Sequence, residues 1–341
     1  MHRLLCFSLL CVSLWTLAVE TSLCHYGDSS ADIAVYLNTA ALEKNLDPQF
    51  YGQMMAAARM ARRQGDFDSG LPFDVLNRDW ELVVNVRFLP GDFAFRLDGM
   101  GKVPGGFQED FDALSRFLDG QCQVSECRVG GMPARRIVLS EETIAAAAEE
   151  PEEESREDAG EEGPWDDDDS MAVDGIQSLD FLLTFLPEDC FQFNGTINAA
   201  LPAEEVTLAS PGGANLFVHP DLVLGVYISV PGVLPLLPDQ PDNPRAAMLK
   251  GFLSLLSHVV VSFQPDGRDL ILRVRLAFAS PEQASAMAGT IEQVAGALAQ
   301  SMTFVGNFRS VSCEVHEQFC DISGRMDIQE AAANLTRMMH Q

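Results

Sequence analysis

Six cysteines follow the apolar N-terminal run: Cys24, Cys122, Cys127, Cys190, Cys313 and Cys320. In an oxidising compartment the chemistry open to them is disulfide formation. Cys313 and Cys320 flank Glu-Val-His-Glu-Gln-Phe in what reads as two strands around a turn, an arrangement that brings two sulfurs within reach. Cys122 and Cys127 bracket Gln-Val-Ser-Glu in a similar short loop, and Cys24 with Cys190 remains by elimination. Free thiols are one alternative. A four-thiolate metal site is another, although structural zinc favours paired cysteines about two to four residues apart and neither pair matches well.

Other reactive residues are not arranged for chemistry. The histidines of the chain beyond the leader are His25, His219, His258, His316 and His340, and no two of them share a helical spacing. His316, between two cysteines, is a metal-ligand candidate whose simpler reading is an exposed turn residue. No phosphate loop, nucleophile elbow, zinc-protease helix or calcium-binding loop occurs. The glycine cluster Gly99–Gly106 would suit a phosphate cradle, but Pro104 removes an amide donor, so it reads as a strand-to-helix loop. Asp166–Asp169, preceded by Trp165, lacks the ligand spacing of a calcium loop and reads as part of a solvated insertion. Of the two glycosylation sequons, Asn194 falls near a strand end and Asn334 on a terminal helix, as chance occurrences would. The sequence therefore assigns no catalytic, cofactor-binding or metal-ligating residue.

Charge narrows the partners. Fifty acids against 22 bases give a net charge of −28. Residues 141–174 alone hold sixteen acids and Arg156, and so supply −15 of it. A net field of this sign excludes nucleic acid and anionic lipid as partners drawn by charge. With 47% hydrophobic residues and 21 Phe, the rest of the chain can bury a core.

The chain opens with a leader. Arg3 precedes an uncharged run, Leu4–Val19, and Thr16-Leu17-Ala18 suits cleavage after Ala18. Residues 1–18 are expected to be a signal peptide; an uncleaved anchor, a buried helix and lipid attachment at Cys24 are the alternatives. No later run is long enough for a second span.

The elements that would position any site come in an order that occurs twice. A strand at Asp32–Leu37, a helix from Ala40 broken at Pro48, the hairpin Trp80–Asp98, a helix at Gln108–Leu118 and later hairpins make the first half. The second half opens with Leu222–Val230, which shares a Val-Tyr pair with the first strand. Then come a helix at Arg245–Leu256, a hairpin turning at Gln264-Pro265-Asp266-Gly267, a helix capped by Ser280, a last hairpin, and a helix capped by Asp327. The expected fold class is α+β: two duplicated domains, each an antiparallel sheet covered by helices on one face. The expected domains are 28–212, carrying a disordered acidic insertion at 141–174, and 213–341.

The Val-rich strand at Val259–Phe263, the Pro265-Asp266-Gly267 turn, Phe278-Ala-Ser-Pro-Glu282, the Ala-rich helix and the final hairpin resemble a diffuse class of exported bacterial proteins of unknown function. The resemblance covers 215–341 well and 30–200 loosely. It implies duplicated α+β halves and no activity. The expected function is that of an exported, non-enzymatic binding or structural component with a protein or envelope partner. The alternatives are a hydrolase with its site in the inter-domain cleft, and a cation-binding protein that uses the acidic insertion.

Overall fold

The computed structural model describes residues 23–49, 51–52, 79–90, 94–105, 111–112, 122–139, 178–201, 216–217, 221–237, 244–301, 308–328 and 330. The leader, the acidic tract 141–174, most of the expected helix at 108–118 and the terminal helix beyond 330 lie outside them.

Among the described residues, twelve strands form one antiparallel sheet. In chain order they are β1 (Ile33–Asn38), β2 (Glu81–Phe88), β3 (Phe95–Lys102), β4 (Gln123–Val129), β5 (Met132–Leu139), β6 (Leu179–Phe185), β7 (Cys190–Ile197), β8 (Leu224–Ser229), β9 (Leu256–Asp266), β10 (Asp269–Phe278), β11 (Phe308–His316) and β12 (Phe319–Asp327). Among the described residues four α-helices accompany them: α1 (Ala40–Asn45), α2 (Val230–Val233), α3 (Pro244–Leu253) and α4 (Pro281–Ser301). The spatial order is β11-β12-β10-β9-β8-β1-β2-β3-β7-β6-β5-β4.

This corrects the expected α+β class. There are not two helix-covered sheets, because the two Val-Tyr strands pair with each other. Val35 of β1 lies opposite Val226 of β8, and β1 also pairs with β2. Both central strands are apolar on both faces, so pairing hides edges that would otherwise be exposed. From this seam the order runs outward as β1-β2-β3-β7-β6 on one side and as β8-β9-β10-β12-β11 on the other, with the hairpin β5-β4 added to the first.

The register gives the sheet two distinct faces, since residues directly opposite each other point the same way. One face carries Leu82 and Val84 with Phe191 and Leu183 at one end, and Leu276, Phe278 and Ile322 beneath Ala284, Met287 and Ile291 of α4 at the other. Ser280 accepts a hydrogen bond from the Gln283 amide and starts α4 with Pro281 in its first turn. Asp327 accepts one from the Glu330 amide.

The opposite face carries a central patch of Tyr36, Val83, Met100, Phe217, Leu222 and Tyr227, and a smaller apolar cluster that includes Ala134 and Leu182. The N-terminal segment straps this patch. Its 3-10 turn, Leu23–Tyr26, donates the Leu23 amide to the Glu81 carboxylate, which also accepts the Tyr36 hydroxyl at 2.9 Å. Glu81 is only 1% exposed, so these bonds replace its lost water.

Two local expectations shift. Gly99 and Gly101 belong to β3 rather than to a loop. A Cβ at Gly99 would lie 2.5 Å from the Phe193 ring, and one at Gly101 would lie 2.1 Å from the Phe191 ring. The β9–β10 turn is Gly267-Arg268, with Gly267 at φ 65°, while Pro265 stays in register with Leu270.

Candidate functional site

On the face opposite α4, strands β9, β10, β12 and β11 place side chains in transverse rows. Val260, Arg275, Asp321 and Glu314 face one another in one row; Ser262, Arg273, Ser323 and Ser312 form the next. The alternation that sends Val274 and Ile322 to the helix-covered face sends these polar residues to the other. Together with Phe217 and Leu222 from the strapped patch they line a cleft of about 330 Å³, polar at its outer end and apolar at its inner end.

Two arginines in this cleft have different surroundings. Arg275 makes a bidentate pair with Asp321, at 2.7 and 2.8 Å, and stacks its guanidinium 5.2 Å from the Phe319 ring centroid. Its hydrogen bond to Asp321 holds it above the ordinary arginine value despite its burial. Arg273 instead donates to the neutral Gln264 carbonyl at 2.6 Å and has no ion pair among the described residues. Ser312 and Ser323 bond each other across the strands at 2.7 Å. Among the described residues, the cleft thus offers a guanidinium without an ion-pair partner, hydroxyls beside it, the Glu314 and Asp321 carboxylates in the adjoining row, and an apolar wall.

His258 borders this region. It sits between Tyr227 and Phe319, with centroids 5.3 and 6.5 Å away. Burial, then the neighbouring Arg275, push its imidazole below the usual histidine range. Its Nδ1 lies 3.2 Å from Ser257 Oγ, but that hydroxyl also donates to the Ala277 carbonyl at 3.2 Å. The pair therefore reads as a strand-to-strand tie.

A second cleft, of about 350 Å³, lies at the far end of the sheet against β4 and β5, lined by Cys127, Arg128, Arg135 and Phe185. Arg135 is engaged there by Asp112 and by the Phe111 and Phe185 rings.

The cysteines fall as follows. Cys313 and Cys320 come together, with sulfurs 3.2 Å apart. Among the described residues no two sulfurs are at bonding distance. Cys122 immediately precedes β4 and Cys127 lies within it, five residues further along an extended chain rather than across a loop, so they are not brought together. Cys190 opens β7, where burial raises its thiol. Cys24 is 5% exposed inside the strapped patch, and an acyl-bearing group on its sulfur would have to displace that core. Asn194 is likewise buried. His316 is exposed beside Glu314, and no group of three or more metal-ligating side chains occurs among the described residues.

Sequence reading did not find the cleft. Its residues come from four strands and are separated by up to 61 positions within the rows, and only the register brings them together. The alternation Arg273-Val-Arg275 within an otherwise apolar strand was the one local signal.

No family model and no curated protein matches the chain. Solved structures of TP0453 are similar to it. Crystal form III gives a TM-score of 0.41 at 12% identity, covering 94% of this chain and 99% of that one. Form I gives 0.37 at 13%, covering 95% and 99%, and form IV gives 0.39 at 12%, covering 94% and 96%. Nothing about this chain's activity follows from that likeness. No helix among the described residues is long and apolar enough to cross a membrane.

Proposed function

We propose that this is an exported, non-enzymatic binding component whose ligand is a small molecule joining an oxyanion to an apolar body. The observation that carries the reading is Arg273, held by a neutral amide rather than a carboxylate and set in a cleft with serine hydroxyls on one side and Phe217 and Leu222 on the other. A planar guanidinium in that position suits bidentate capture of a carboxylate or phosphate. The leader at 1–18 supports a site of action outside the cytoplasm. The reading also takes 28–212 and 213–341 as copies of one unit, which the matching strand orders on either side of the β1–β8 seam support.

The test is calorimetric titration with benzoate and phenyl phosphate, and with benzyl alcohol as the uncharged comparison. Both anions bind and the alcohol does not. Arg273→Met keeps the apolar stem and lowers affinity for the anions by about tenfold or more, the scale of one charge-assisted hydrogen-bond pair. Equal binding by the wild type and the variant, or no binding by either, overturns the reading.

A further inference from the structure

The cysteine pair at the outer hairpin carries an inference that stands apart from the ligand reading. Cys313 lies opposite Ile322, and Cys320 lies opposite Val315, so the two cysteines are diagonal neighbours on adjacent strands. Both point to the face covered by α4, among Val315, Ile322 and Leu276. Their sulfurs are 3.2 Å apart, so about 1 Å of closure reaches a covalent bond. Among the described residues, β11 is an edge strand of the sheet and pairs with β12 alone. We propose that Cys313 and Cys320 form a thiol–disulfide staple that pins edge strand β11 to β12, with Cys313 reacting first.

The order follows from surroundings. Cys320 is fully buried, and its thiol is pushed up to about 12 by burial and then by Cys313 itself. Cys313 is half-buried and nearer solvent. The Cys313 thiolate attacks a small disulfide oxidant, forming a mixed disulfide and expelling one thiolate. That removes the neighbouring thiol that disfavours ionisation of Cys320. Cys320 then gives its proton to solvent and attacks the Cys313 sulfur, expelling the second thiolate. The two protein thiols lose two electrons and two protons, and the oxidant becomes two thiols.

The experiment equilibrates the full mature chain with reduced and oxidised glutathione at a series of ratios, blocks remaining thiols by alkylation, and reads tryptic peptides by mass. Ser310–Arg325 carries both cysteines with no internal Lys or Arg. Under oxidising ratios this peptide is expected to be unalkylated at both positions and lighter by two hydrogens, and to return to the doubly alkylated form as the ratio is reversed. Amide exchange across 310–316 slows in the oxidised form. Double alkylation at every ratio, a persistent glutathione adduct on Cys313, a bond from Cys313 to any other cysteine, or unchanged exchange in β11 overturns the proposal.

Discussion

At the residue scale, His258 is the side chain whose protonation the fold resists. Burial and Arg275 both disfavour its charge, and Tyr227 and Phe319 enclose it from β8 and β12. Its folded value therefore lies below its unfolded value, and the unfolded chain binds the proton first as pH falls. The stability it confers is complete above about pH 6.5 and is lost as pH drops through the depressed folded value. Denaturant midpoints of wild type and His258→Gln, compared from about pH 7.5 to 5, are expected to converge as pH falls, because only the wild type loses this contribution. A difference that stays constant over that window contradicts the assignment. The residue scale is also where sequence reading was most and least informative. Ser280-Pro281 announces the start of α4 through a hydrogen bond that involves only near neighbours. Gly99 and Gly101 looked like loop residues because the reason for them, the rings of Phe193 and Phe191, lies about ninety positions away on β7.

At the element scale, the N-terminal strap depends on a few polar contacts to β2 and β3. Arg87 joins Asp28 of the strap to Asp98 of β3, and Asn85 accepts the Asp28 amide at 2.9 Å. Burial works against the charge on Arg87, and the Asp98 and Asp28 carboxylates more than offset it, holding the guanidinium above its usual value. Replacing Arg87 with Met leaves two carboxylates facing each other. Arg87→Met is expected to cost about 2 kcal/mol, the scale of hydrogen bonds to charged groups at a partly exposed site. It should also make 23–32 the first segment to exchange its amides and to be cut by protease. Unchanged exchange there would show that Arg87 does not hold the strap. Nothing in the sequence marked Leu23–Asp28 as an element. It has no periodicity, and its role is legible only once Glu81, Asn85 and Arg87 are seen to share a face of β2.

At the scale of the whole molecule, hairpins were readable and their assembly was not. Apolar alternation and turn residues mark β2, β9 and β10 locally. Which strand joins the halves is a non-local choice, and β1 and β8 solve it by pairing Val35 with Val226. Further contacts reinforce that joint. The Asp47 amide donates to the Gly267 carbonyl at 2.9 Å, the Tyr227 hydroxyl to the Ser29 carbonyl at 3.2 Å, and the Ser229 amide to the Asp32 carbonyl at 2.8 Å. A single sheet is what gives the candidate cleft its apolar wall, since Leu222 and Phe217 border β9 only because the strapped patch continues into the second half. The cleft therefore depends on the continuity of the sheet through β1 and β8. Amide hydrogen exchange of the full chain, followed in peptides covering Ile33–Asn38 and Leu224–Ser229, tests it most directly. Both strands are expected to be among the slowest to exchange and to lose protection together, in one transition, as denaturant rises. Exchange of either strand at the rate of edge strands β4 and β11, or loss of protection in two separate transitions, would contradict it.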